Sequence, residues 1–175
     1  MQLDNKIESI LKDFDSGKTS KAFKSISKLL KSNPDNLDYI FLYGKMCNQI
    51  NKLEESEKVF NFLISKNEKS IEYLHNLYSV YIKKGDIQKS EFIISKVLNI
   101  DNNHYEAQRD MGYLHYLKDE IDPAKNILEK IVKKESKDAF ALNILGLVYL
   151  KKELIDEAKK IFEKAIGVNP NYVDS

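Results

Sequence analysis

Along almost the whole chain, apolar side chains recur three and four residues apart, as in Leu142, Leu145 and Tyr149, or Ile161, Phe162, Ala165 and Ile166. Because a helix turns once in about 3.6 residues, this spacing collects them on one face. No segment alternates apolar and polar residues one by one, so no sheet is expected. The helical stretches come in pairs, divided by short polar turns at matching offsets: Asp15-Ser16-Gly17, Lys84-Gly85-Asp86 and Lys118-Asp119-Glu120-Ile121-Asp122. Asp122 before Pro123 reads as a helix N-cap followed by proline in the first turn, where its missing donor costs nothing. Pro34 and Pro170 fall where a helix must stop. The predicted fold is therefore all-α, a run of antiparallel helix pairs.

The pairs are copies of one pattern. Blocks opening at Leu37, Ile71, Tyr105 and Ala139 are 34 residues apart, and their eighth residues are Gly44, Tyr78, Gly112 and Gly146, mostly small. The residues before these are large: Tyr43, Leu77, Met111 and Leu145. In the second helices the small column reads Ala22, Ser56, Ser90, Ala124 and Ala158, and the large one Ile26, Phe60, Ile94, Leu128 and Phe162. Such alternation is what close helix packing requires, since two backbones approach only where a side chain is missing and a bulky neighbour fills the space alongside. Further apolar columns run Leu29, Leu63, Val97, Ile131, Ala165 and Leu30, Ile64, Leu98, Val132, Ile166. The first pair fits least well. One register places Lys6 and Ser9 in the core, and a turn one residue shorter places Ile7, Ile10, Leu11 and Phe14 there, which burial favours.

Leu142, Leu145, Gly146, Tyr149, Ala158, Phe162 and Pro170 are spaced L-x2-L-G-x2-Y, A-x3-F and a closing proline. In this the chain resembles the tetratricopeptide repeat (TPR) family. The resemblance implies a right-handed α-solenoid of about five repeats: a degenerate N-terminal one at 1–36, then 37–70, 71–104, 105–138 and 139–172, with 173–175 a tail or the start of another. It also implies a concave groove, lined by the first helix of each repeat, that takes peptides or partner domains.

Composition narrows the function further. At 175 residues, 42% hydrophobic and 31% charged, the chain can build a continuous core. Its 28 basic residues face 27 acidic ones, and Arg109 is the sole arginine, so a nucleic-acid partner is not expected. The apolar run Ala139–Leu150 is too short to span a bilayer, and no apolar signal region opens the chain, which sets the cytoplasm as the expected location. Cys47 occupies a core column and reads as packing. Ser16-Gly17-Lys18-Thr19 lacks the first glycine of a phosphate-binding loop, since Lys12 stands there, and Gly17 reads as a turn. His75, His104 and His115 show no metal-ligand spacing, and His115 shares the column of Tyr81 and Tyr149, which suggests packing. The paired carboxylates Glu54-Glu55, Asp119-Glu120 and Asp156-Glu157 lie near helix starts, where the dipole favours them. No catalytic residue, cofactor or metal is expected.

What remains is the surface opposite the core columns, the second, fifth, sixth, ninth and twelfth residues of each repeat. There the chain presents Lys45 and Asn48; then Glu72, His75, Asn76 and Ser79; then Glu106, Arg109, Asp110, Tyr113 and Tyr116; then Phe140, Asn143, Leu147 and Leu150. Arg109, Tyr113, Tyr116, Phe140 and Leu147 are of the types that dominate interface energies, so partner binding is expected here, and Arg109 and Tyr113 are read as free to engage it. Two family specialisations fit poorly. The two-carboxylate clamp of co-chaperone repeats would need other residues than Phe41 and Lys45, Asn76, and Glu106 and Asp110, and an asparagine ladder is represented only by Asn76 and the related Asp110. The expected function is a non-enzymatic interaction module for a peptide or partner helix. The alternatives are a recruiting arm of a longer enzyme, such as a transferase with its catalytic domain after Ser175, and a self-assembling scaffold.

The last helix carries an apolar stripe, Val168, Ile161, Ala165, Phe162 and Ile166, covering about 160°, wider than the ~100° one core needs. Asn171-Tyr172-Val173 reads as the start of a sixth repeat. Either a homodimer forms through Ile161, Ile166 and Val168, or the chain is cut from a longer array.

Overall fold

A computed structural model describes residues 5–169 of the chain. Within them lie ten α-helices and no strand: α1 (Asn5–Asp15), α2 (Thr19–Ser32), α3 (Leu37–Gln49), α4 (Leu53–Lys66), α5 (Ile71–Lys84), α6 (Ile87–Ile100), α7 (Tyr105–Leu117), α8 (Ile121–Lys134), α9 (Ala139–Lys151) and α10 (Ile155–Val168). Two compact units divide the chain at Gly85 and Asp86, with α1–α5 in the first and α6–α10 in the second. Pro170 and Asn171-Tyr172-Val173 lie outside the described residues.

The turn inside each helix pair is set by one residue in the left-handed region: Gly17, Asn51, Gly85, Asp119 and Glu153, with φ between 59° and 78°. They recur every 34 residues, and only two are glycine, the residue that adopts this backbone without strain. The turns between pairs repeat as well. Asn36, Ser70, His104 and Asp138 stand before α3, α5, α7 and α9, and each side chain accepts a hydrogen bond from the backbone N–H three residues on, at 3.0, 3.3, 3.3 and 2.9 Å. Each satisfies one of the orphan donors of its helix start. At α8 the expected cap is displaced. Glu120 is the N-cap, without a side-chain bond, and Asp122 sits in the first turn paired to Lys152 at 2.6 Å. Once Asp119 has turned the chain left-handed, the helix begins two residues earlier than the Asp-Pro pair suggests. Pro123 is still within the stretch whose N–H groups have no helical acceptor.

Packing follows the small and large columns. A Cβ on Gly44, Gly112 or Gly146 would lie 2.6 Å from Val59, 3.0 Å from Leu128 or 2.5 Å from the Phe162 ring, so bare backbone is what lets each helix reach its partner. Opposite them Ala22, Ser56, Ser90, Ala124 and Ala158 are fully buried, as are Ile26, Phe60, Ile94 and Leu128. The two serines fit because their hydroxyls donate to carbonyls, Ser56 to Gly44 at 2.9 Å and Ser90 to Asp86 at 2.8 Å. In the first unit Ile7 and Ile10 are buried with Leu11 and Phe14 against them, while Lys6 and Ser9 are exposed. The second unit centres on α9, whose Ala141, Leu142, Ile144, Leu145 and Val148 are buried among α8 and α10. Met111, placed in a core column by its register, is only half-buried.

Charge reinforces the joints at one repeating place. Lys84, Lys118 and Lys152, 34 residues apart, close each first helix and reach back to an acid on the second helix of the preceding pair: Glu57 at 2.6 Å, Glu91 at 3.0 Å and Asp122 at 2.6 Å.

Candidate functional site

In the second unit, the face shared by α7 and α9 carries the residues expected to bind, but with a different division of labour. The Arg109 guanidinium is held on two sides. Its Nε and Nη2 donate to Asp110 at 3.0 and 2.9 Å, and its Nη1 donates to Asp138 at 3.2 Å. Asp138 also accepts the Tyr105 hydroxyl at 3.0 Å while capping α9. Burial disfavours the charge on Arg109, but Asp110 first and Asp138 after it outweigh that and raise its pKa. The Tyr105 hydroxyl is likewise pushed up, by burial and then by Asp138. Asp110, expected on the open face, is 2% exposed. Arg109 is thus committed to its own fold rather than free for a partner, because two carboxylates in a partly desolvated place require a cation beside them.

Beside this network the surface turns aromatic and apolar. The Phe140 ring stacks under Arg109, 5.1 Å from centroid to Cζ, and meets the Tyr113 ring edge-on at 5.2 Å. Burial raises the Tyr113 hydroxyl pKa. Tyr116 follows one turn along, with Lys151 Nζ 5.6 Å above its ring. Phe140, Asn143, Leu147 and Tyr116 are half-buried, and Leu150 is 42% exposed. These side chains lie on two adjacent helices, with Tyr113, Tyr116, Phe140 and Leu147 each half-buried against the core of the second unit and Leu150 the most open.

The corresponding α3–α5 face of the first unit is polar. Lys45 is exposed, its Nζ 5.5 Å above the Phe41 ring. His75 meets the Tyr78 ring edge-on at 5.7 Å, and the Asn76 amide donates to its own helix at Glu72 O, 2.8 Å away. Asn48, expected to be open, is buried: its side-chain amide donates to Ser79 Oγ at 3.0 Å, and its backbone carbonyl accepts from Lys83 Nζ at 2.7 Å. The expected binding residues therefore gather into two faces of unlike character.

Other expectations are redistributed. His115 does more than pack, since its Nδ1 hydrogen-bonds the Glu120 carboxylate, and that contact, with Lys118, holds Glu120 below the usual carboxylate range. Cys47 is buried, and burial pushes its thiol pKa up, which keeps it from acting as a thiolate. On α10, Ile161 and Val168 pack against the second unit's own core, while Ile166 is 44% and Ile155 60% exposed. Ile161 and Val168 thus lie mostly on the intramolecular side. Among the described residues no three His, Cys, Asp or Glu side chains converge as a metal site needs, and no helix is long and apolar enough to cross a membrane. Sequence reasoning missed Tyr105 and Asp138. Asp138 carries a signal, since it stands in the cap column with Asn36, Ser70 and His104, but its bond to a residue 29 positions earlier does not show in any local pattern.

Helix pairs at a regular interval, glycine-mediated contacts and repeating caps define an all-α helical-repeat solenoid. Residues 71–104 and 141–172 match the family model described as "Tetratricopeptide repeat". The chain is a tetratricopeptide-repeat protein. Its fold is similar to that of the crystal structure of MamA, at 21% identity over 100% of both chains with a TM-score of 0.74. It is also similar to TTC0263, a thermophilic TPR protein of Thermus thermophilus, at 16% identity over 97% of this chain and 93% of that one, TM-score 0.75. A third, YrrB, is titled a TPR protein with an unusual peptide-binding site and aligns at 16% identity over 96% and 87%, TM-score 0.68. No curated protein matches in sequence.

Proposed function

We propose that the chain is a non-enzymatic interaction module that binds a peptide or partner helix on the α7–α9 face. The observation that carries this is the strip of Tyr113, Tyr116, Phe140, Leu147 and Leu150, aromatic and aliphatic side chains left partly open on two adjacent helices. Aromatic anchors in a contiguous apolar patch are what binding surfaces are made of. A solved relative in fold whose title names a peptide-binding site supports the same reading. The α3–α5 face, with Lys45, His75 and Asn76, offers polar contacts of its own within the first unit. The test compares affinity capture from the parent cell by the natural chain and by Tyr113→Ala/Leu150→Glu, both folded by circular dichroism. Partners lost from the variant support the reading, and an unchanged set of partners defeats it.

A second reading has its own observation. Ile155 and Ile166 are exposed on α10, at helical spacing either side of half-buried Phe162, whose ring meets Gly146. The equivalent residues of α8, 34 positions earlier, are Ile121, Leu128 and Val132, half-buried or buried where α9 covers them. The α10 face would therefore take a further helix, from a second copy or from chain continuing past Ser175.

A further inference from the structure

We propose a second binding surface, independent of the α7–α9 face: the groove between α1 and α2 takes an acidic protein segment, a short run of aspartate or glutamate side chains. This groove has a volume of about 560 Å³, and its walls include Lys6, Ser9, Ser25, Lys28, Leu29 and Ser32. Among the described residues no acid lines it. Ser32 donates its hydroxyl to the Lys28 carbonyl at 3.3 Å, while Ser9 and Ser25 present theirs to the groove.

The charge of α2 is a separate observation. Lys21, Lys24, Lys28 and Lys31 follow one another three and four residues apart, and all are exposed. At about 100° per residue they share an arc of ~80°, so they form one stripe beside the groove. The helix carries no acid. Solvation alone does not require this, because every other second helix mixes its signs, with Glu57, Glu91, Glu129 and Glu163 among the lysines of α4, α6, α8 and α10.

The acids of neighbouring elements leave most of that charge standing. Asp13, on the groove side of α1, pairs with Lys21 at 2.9 Å, at the end where the two helices are joined. Glu8 and Asp15 lie about 100° or more round α1 from Ser9. Asp38 of α3 acts on the Tyr73 hydroxyl of α5, and Asp4 lies outside the described residues. Lys24, Lys28 and Lys31 are thus set against Asp35, in the turn to α3.

Shape selects among anionic partners. A bilayer surface is flat and would reach the lysine tips but not Ser9, Ser25 or half-buried Leu29 between the helices. Nucleic acid is recognised by arginine forks and open aromatic rings, whereas here Phe14 meets Phe23 at 6.3 Å and Phe23 meets Tyr43 at 5.8 Å, all packed on the core of the first unit. A peptide fits both features. Its carboxylates meet the lysines, its carbonyls accept from the serine hydroxyls, and one apolar side chain covers Leu29.

The experiment titrates the full chain into a fluorescein-labelled octapeptide of glutamates with one central leucine, followed by fluorescence anisotropy. Binding at low salt that weakens as salt rises is expected. Lys24→Glu/Lys28→Glu should weaken it about tenfold or more, and Ser9→Leu, which narrows the groove without changing its charge, about threefold or more. Lys133→Glu/Lys134→Glu makes the same change of charge on α8 and should weaken it less than about twofold. All these positions are exposed, and circular dichroism checks that each variant keeps its fold. Failure of the peptide to bind, or an equal loss with the α8 pair, overturns the proposal. It is also overturned if vesicles containing phosphatidylserine, or a single-stranded oligonucleotide, bind more tightly than the peptide and Ser9→Leu leaves that binding unchanged, since the stripe then acts by charge alone on another class of partner. None of these results bears on the α7–α9 face, where no variant lies.

Discussion

Single positions govern how closely the helices meet. Gly146 faces the Phe162 ring at a distance that leaves no room for a side chain unless that ring is displaced. Gly146→Leu should therefore lower stability by about 1–3 kcal/mol, read as a shift in the urea midpoint without a change in slope. A neutral substitution would contradict the packing described. Glu153 offers the opposite case. It holds φ 59° where Gly17 and Gly85 hold 78° and 70°, and for an L-residue with a side chain that backbone costs roughly 1–2 kcal/mol. Glycine loses more freedom on folding, which offsets part of the gain. Glu153→Gly is expected to stabilise by about 0.5–1 kcal/mol in the same denaturation assay, and a loss would show that Glu153 makes a contact stronger than the strain.

At the level of helices and their joints, the buried ion network is the strongest constraint. Arg109→Ala leaves Asp110 and Asp138 without their cation on a face that is mostly desolvated. The Arg109 side chain keeps 21% exposure, so the expected loss is about 2 kcal/mol rather than the roughly 3–5 of a fully buried pair. Thermal unfolding should show it directly, and an unchanged melting temperature would restore Arg109 to the free role its position suggested. The contrast explains how far the chain could be read in advance. Helix pairing, the glycine contacts and the burial of Ile7 and Ile10 follow from columns, because apolar burial depends on residue type and period alone. Ion pairs do not. Whether Arg109 points outward or lies across its neighbour depends on Asp138, far away in sequence, and the same holds for Asn48 and Ser79. At the start of α8 the error was smaller: Asp122 and Pro123 are within the first turn, and the left-handed Asp119 decided which residue came first.

For the molecule as a whole, the α10 face decides whether it acts alone. Ile155 and Ile166 expose 60% and 44% of their surface where the equivalent face of α8 is covered. If a second copy covers them, static light scattering at high concentration should give a mass above one chain, and Ile155→Glu/Ile166→Glu should return it to one chain without lowering the melting temperature. A monomer before and after the substitutions would rule out self-pairing through this face.

Asn36, Ser70, His104 and Asp138 perform one task, at one interval, with four different chemistries. The chain is consequently interchangeable at those points: cutting it before one cap and rejoining it before the next deletes a whole repeat and still hands the following helix a working start. A version in which residue 69 is joined to residue 104 should remain helical and unfold cooperatively, whereas a deletion of about half that length begun in mid-helix should not. Change in length, for this polypeptide, comes in units of a repeat.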